Sequence, residues 1–399
     1  MKENNNSFCV LPWIHLATHP VGIVTPCCIT DMKDGASTAK KENEELFLNR
    51  NSFEEITNSE LFNSLRLKMM NGEFPNICKS CYLYDQNNIV SRRVENNKNY
   101  SRLIDQCFKN TNQDGSLNKI DYRYIELRLG TVCNLKCVTC NSFSSNRWNE
   151  DVSAFKNTEF ENNYLKNEIK NEWYRDPSFY DDLLLRCENL EEVWINGGEP
   201  TLIKEHSYFL EKLIESGKSK EVKLHYSINM TRIPDSFINL WLKFKSTKLQ
   251  LSIDDIGTRN DYIRYGSDWE TIRKNLDKIS SYKKDFEIEI CQTVSALNVR
   301  NINEFKKFSS RYGLVIAHNF VHNPEFMHVS ILPLEMKNEI INESKDLTDY
   351  EMLRLRTELF SETDENNYSR FKKFMRILDI KRNLNISDYL PEWEKYFID

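Results

Sequence analysis

Cys133, Cys137 and Cys140 stand in the run Leu129-Gly-Thr-Val-Cys-Asn-Leu-Lys-Cys-Val-Thr-Cys140, three thiols separated by three and then by two residues. Three thiolates on one short loop can hold three irons of a 4Fe-4S cluster, whereas a cluster held entirely by protein takes four cysteines. The fourth iron is then left open for chemistry. A zinc knuckle is the other reading of the same spacing. A second set, Cys9 and Cys27 with the later pair Cys78-Lys-Ser-Cys81, offers four thiols from two separated segments. Four thiols can ligate a whole 4Fe-4S cluster or a structural zinc ion. Cys28, next to Cys27, could exchange with it as ligand or stay free, and Pro12, Trp13 and His15 read as packing around the site, with ligation by His15 the alternative.

These residues need elements to hold them. From about Asp121 the chain alternates short β-patterned runs with helical ones, the pattern of a parallel sheet built from βα units. Strands are predicted at 124–129, 193–196, 222–229, 249–254, 287–294 and 314–318, with helices at 204–216, 236–244, 268–281 and 302–312. Six strands predict an α/β fold, a partial (β/α)6 TIM-like barrel. Period-two alternation puts Ile125, Leu127, Val193, Ile195, Leu224, Tyr226, Leu249, Leu251 and Ile290 on one face. The other face carries Glu126, Arg128, Trp194, Asn196, His225, Ser227, Asn229, Gln250, Ser252, Asp254, Glu289 and Cys291. Buried polar groups without partners are costly, so a polar lumen implies a cavity for a polar ligand. A flat sheet with one solvated face is the alternative.

The same reading divides the chain into a cysteine-bearing N-terminal domain and linker (1–118), the barrel (119–334) and a charged helical C-terminal extension (335–399). A helix is expected at 59–71, an Asn/Lys/Asp/Gly-rich linker near 109–118, and a capping box at Thr348 and Glu351. The 54 Lys and Arg against 60 Asp and Glu leave a net charge of −6 without a basic tract, which argues against nucleic-acid binding. No signal-type segment or membrane span is seen, so a cytoplasmic protein is expected, and in that reducing setting eleven clustered cysteines read as metal ligands rather than disulfides. Cys107 and Cys187 read as structural.

The cysteine loop directly after the first barrel strand, followed one βα unit later by Gly197-Gly198-Glu199-Pro200, resembles the radical S-adenosylmethionine (SAM) superfamily. The resemblance implies that Cys133, Cys137 and Cys140 hold a 4Fe-4S cluster whose open iron is chelated by SAM. It further implies that Gly197, Gly198 and Glu199 meet the methionine amino group, with Asn229, Ser252, Asp254 and Arg264 also around the cofactor. Asn298 is a further contact. Cys9-x12-Gly22-x4-Cys27 with Cys78 and Cys81 resembles the SPASM/twitch motif, placed here in front of the barrel, and implies an auxiliary 4Fe-4S cluster. Two departures stand out. Thr139 occupies a position that is usually aromatic, and Gly257 follows Asp254 at a distance where many relatives have Asp-Gly.

The activity implied is reductive cleavage of SAM to a 5'-deoxyadenosyl radical, which abstracts a hydrogen atom from a substrate, with an electron donor such as flavodoxin or ferredoxin. A peptide is the expected substrate; a sugar, nucleotide or other small metabolite is the alternative. A non-catalytic iron-sulfur or zinc binding protein is the alternative of another class. Cys291, beside Glu289 on the luminal face, could donate a hydrogen atom to a substrate radical, or be a small buried residue.

Overall fold

The computed structural model describes residues 7–30, 37–87, 89–167 and 172–397. Its frame is an open eight-stranded sheet: β1 (His15–Thr18), β2 (Val24–Thr25), β3 (Tyr124–Arg128), β4 (Glu192–Asn196), β5 (Lys223–Ile228), β6 (Ser246–Ser252), β7 (Phe286–Val294) and β8 (Val315–Phe320). The spatial order is β8-β7-β6-β5-β4-β3-β1-β2. All six expected strands are present and pair in parallel. The end strands β8 and β2 do not meet, so the barrel is partial.

Parallel neighbours need long crossovers, and helices supply them. His206–Glu215, Asp235–Trp241, Trp269–Ser280 and Ile302–Arg311 follow β4, β5, β6 and β7 in turn. Each presents an apolar stripe to the sheet, so Phe209, Leu213, Phe237, Trp241, Leu276 and Phe305 share one core with the apolar strand positions. Burial of this surface drives the layer together.

The opposite sheet face is polar, as the alternation predicts, and its side chains bond across strands. Trp194 Nε1 donates to Ser227 Oγ (3.2 Å), Ser227 Oγ to Gln250 Oε1 (3.1 Å), and Gln250 Nε2 to Glu289 Oε1 (2.6 Å). Lys248 pairs with Glu289 at 2.8 Å. Such cross-strand pairs satisfy the polar groups that the curvature brings together.

Two features of the N-terminal segment were not expected. First, β1 pairs in parallel with β3, His15 opposite Tyr124, and so extends the barrel sheet across the 118/119 boundary. Leu16, Val24, Phe53, Ile56 and Phe62 enter the barrel core. Second, the stretch near 109–118 is a packed turn: Thr111 bridges Leu117, and buried Arg66 donates to Gly115 O (3.1 Å). The expected helix is present as Glu60–Met70.

The C-terminal extension is helical, and its Thr348–Glu351 capping box is formed. Its long helix, Asn366–Arg382, ends against the cysteine loop. Arg382 Nε donates to Asp151 Oδ2 (2.9 Å) and Nη2 to Lys136 O (2.8 Å), while the guanidinium lies over the Trp148 and Tyr265 rings. Asp151 also pairs with Lys136 at 2.9 Å. Among the described residues no helix is long and apolar enough to cross a membrane. Removing one partner of a buried ion pair leaves a costly charge, so Arg382→Ala is expected to lower stability by about 3 kcal/mol, read from denaturant midpoints. An unchanged midpoint would mean that Asp151 and Lys136 need no such support.

Candidate functional site

The cysteine loop leaves β3 at its C-terminal end and is clamped by main-chain hydrogen bonds. Lys136 N donates to Tyr265 O (2.8 Å), Val138 N to Ile263 O (2.7 Å), and Glu199 N to Val132 O (2.8 Å). Side chains add to this: Trp148 Nε1 bonds Cys137 O (2.9 Å) and Ser145 Oγ bonds Leu135 O (2.6 Å). The three thiols are thereby fixed on one scaffold. Burial is the main effect on each of them: it pushes Cys137 up to about 11, and Cys133 and Cys140 upward as well. Three half-buried thiols with raised pKa values have reason to ionise only where a metal centre replaces their protons.

Gly197 and Gly198 follow β4 with φ of +86° and +51°. A Cβ on Gly197 would stand 2.7 Å from Leu129 O, and one on Gly198 would collide with Val132 O. Both positions therefore need glycine, because the turn backbone lies directly on the cysteine loop. Glu199 is buried, and its carboxylate is engaged within the protein. Oε1 accepts from Thr201 N (3.1 Å) and Oγ1 (2.6 Å), and Oε2 from Asn229 N (2.7 Å). Burial pushes its pKa up, offset in part by these bonds.

The remaining expected residues fall into two groups. Asn229 Nδ2 reaches Asn134 Oδ1 (2.9 Å) and lies 3.9 Å from Cys133 Sγ. Arg264 Nη1 pairs with Asp254 Oδ2 at 2.9 Å, and Asp254 Oδ1 accepts from Thr293 N (2.8 Å). Arg264 Nε is buried without a hydrogen-bond partner. Burial works against the Arg264 charge, but Cys137 and Asp254, with Cys133, hold its pKa above the ordinary value. Ser252 faces the lumen opposite Cys291, whose Sγ accepts from Asn319 Nδ2 (3.0 Å). Asn298 is occupied as a loop brace, donating to Asp254 O (2.8 Å) and Thr293 O (2.9 Å).

The second thiol set converges as well. Cys9, Cys27, Cys78 and Cys81 line one small apolar pocket with Arg92 and Arg93. Cys28 is absent from that lining; its charged neighbours are Glu126 and Arg92. Burial pushes Cys9 and Cys27 up to about 12. Arg92 Nη2 bonds Tyr124 OH (2.9 Å) and Glu126 Oε2 (3.3 Å), so one guanidinium links this pocket to the first luminal residue of β3.

Residues 127–309 match the radical SAM superfamily, and residues 9–82 match SPASM, an iron-sulfur cluster-binding domain. Residues 127–309 thus carry a radical SAM domain. The SPASM match stands in front of the radical SAM match, and the two domains imply SAM, a 4Fe-4S cluster and an auxiliary iron-sulfur cluster as cofactors. None of the curated proteins matches the chain. Similar solved structures include native anSMEcpe with bound AdoMet, at 18% identity over 58% of this chain and 62% of that one, TM-score 0.40. Another is Streptococcus suis SuiB bound to S-adenosylmethionine, at 16% identity over 69% of each chain, TM-score 0.30. The chain thus spans less than two thirds of the length of anSMEcpe.

The geometry fits the cofactors of a radical SAM enzyme. One loop gathers three thiols, the unpartnered Arg264 Nε offers a donor to an anionic group beside them, and four further thiols meet around one pocket. Several supporting residues carry no sequence signal. Arg92 and Arg382 reach the site from segments far from both motifs, where isolated polar residues look like any others, while Asn134 and Thr201 sit within or beside the motifs without marking themselves by type. Gln in place of Glu199 would set an amide N–H₂ against the N–H of Asn229 or Thr201. Glu199→Gln is therefore expected to cost about 1–3 kcal/mol in urea unfolding of the metal-free chain. An unchanged midpoint would show that the carboxylate does not organise the turn.

Proposed function

We propose that Cys133, Cys137 and Cys140 hold the catalytic 4Fe-4S cluster and Cys9, Cys27, Cys78 and Cys81 the auxiliary one. The observation that carries this reading is the contact of the Gly197-Gly198 backbone with the cysteine loop, with the Arg264 guanidinium standing near Cys133 and Cys137. SAM bound at the open iron supplies, on one-electron reduction, a 5'-deoxyadenosyl radical that removes a hydrogen atom from a substrate carbon. Arg264, held by its ion pair with Asp254, would anchor the carboxylate end of SAM, Gly197, Gly198 and Glu199 would meet the amino end, and Asn229 and Ser252 would flank the nucleoside.

The substrate in this reading is a peptide, held over the polar ladder at the open mouth of the barrel. Glu289 and Cys291 face it from β7, and the Cys291 thiol, its pKa raised by burial, stays protonated and able to give up a hydrogen atom. Support for a peptide is the SPASM module, which accompanies peptide modification in relatives of this type. A small reductase such as flavodoxin or ferredoxin supplies the electron, and the setting is cytoplasmic, where free thiols persist.

Anaerobically reconstituted protein is expected to form 5'-deoxyadenosine from SAM with a reductant. The Cys133/Cys137/Cys140→Ala triple variant should lose this activity while retaining about four irons per chain. Cleavage unchanged in the triple variant, or iron absent from the wild type, would refute the assignment.

A further inference from the structure

The segment after β8 carries two histidines that meet a glutamate from a different element. His322 and His328 flank the turn 323–327, and Glu358 lies on the helix Asp349–Leu359. The segment is pinned at both ends by main-chain bonds, Val321 N to Val294 O (2.9 Å) and Ala296 N to Met327 O (2.9 Å). The imidazole rings stack with centroids 4.9 Å apart at 25°, which brings both Nε2 atoms to one carboxylate oxygen. Glu358 Oε2 is 3.1 Å from His328 Nε2 and 3.9 Å from His322 Nε2, and the three ligand atoms all lie within 4.8 Å of one another. Among the described residues no other group of three His, Cys, Asp or Glu side chains converges so closely.

We propose that His322, His328 and Glu358 form a binding site for a divalent ion of the zinc class, separate from both cysteine sets. A tetrahedral ion with ligands at about 2.0–2.1 Å holds them roughly 3.4 Å apart, between the two separations found here. Two imidazoles and one carboxylate are a donor set suited to zinc, and three protein ligands leave a fourth position open. The two histidines also line a polar pocket with Glu325, Ser330, Glu362, Asp364 and Asn367, whose carboxylates favour a cation. Glu358 forms ion pairs only with the two histidines among the described residues, and the nearby Arg354 guanidinium lies over the Phe320 ring instead.

His328 has a partner for its other nitrogen, as metal-bound histidines do. Nδ1 is 2.7 Å from Ser330 Oγ and 3.2 Å from Ser330 N. His322 is 66% exposed in its side chain, and its ring packs only on His328 among the aromatic rings of the described residues.

The test uses iron-loaded protein prepared anaerobically, stripped of loosely held metal with a chelator, equilibrated with Zn²⁺ and desalted. Elemental analysis is expected to find one zinc per chain with iron unchanged. Co²⁺ added in place of zinc should give visible bands of a nitrogen- and oxygen-ligated ion. His322→Ala and Glu358→Gln should each weaken Zn²⁺ binding at least about tenfold, with iron content and melting temperature preserved. No zinc retained by the wild type, zinc gained only as iron is lost, or equal retention by both variants would overturn the site. Should Glu358→Gln fail to fold, the exposed His322→Ala decides alone.

Discussion

Three main-chain hydrogen bonds, from Lys136 to Tyr265, Val138 to Ile263 and Glu199 to Val132, fix the cysteine loop between the turns that follow β4 and β6. Because they join backbone to backbone, they depend little on side-chain identity and much on close approach. That explains why Gly197 and Gly198 have no room for a Cβ. It also explains why the C-terminal helix reaches back so far, since Arg382 donates to Lys136 O from the outer side of the same loop. A loop carrying three half-buried thiols cannot be held by apolar packing of those thiols alone. It is held by its neighbours' backbones.

The polar face of the sheet follows from a related constraint. Curvature crowds the luminal side chains, and each polar group must find a partner or remain open to solvent and ligand. Trp194, Ser227, Gln250 and Glu289 partner one another, leaving Ser252 and Cys291 higher along the strands, on the side where the cysteine loop and Arg264 stand. On the other flank, Arg92 ties Glu126 to the four-thiol pocket. The four-thiol pocket is thus joined to the barrel by this charged contact as well as by the pairing of β1 with β3.

Much of this was legible in the sequence because it is local. The loop spacing, Gly-Gly-Glu-Pro and the period-two alternation each lie within a dozen residues, and the six parallel strands followed with ends shifted by at most three residues. What escaped depends on long-range pairing. The short β1 gives too little pattern to announce a strand, yet it adds to the barrel sheet and carries the N-terminal cysteines to it. Asn298, expected near the cofactor, serves as a brace for the loop after β7, because its amide is the group placed to satisfy Asp254 O and Thr293 O. His322, His328 and Glu358 have neither the spacing nor the composition of a familiar metal motif, and only the fold brings them together.

The central claim is that the two thiol sets hold separate clusters, of which only the one beside Arg264 is open to SAM. The most direct measurement is electron paramagnetic resonance of the reduced, iron-loaded protein with and without SAM. Two 4Fe-4S signals are predicted, one of them altered by SAM, and that one alone should persist in a Cys9/Cys27/Cys78/Cys81→Ala variant that retains its fold. A signal from the four-thiol set that responds to SAM, or a SAM-responsive signal surviving loss of Cys133, Cys137 and Cys140, would contradict the account.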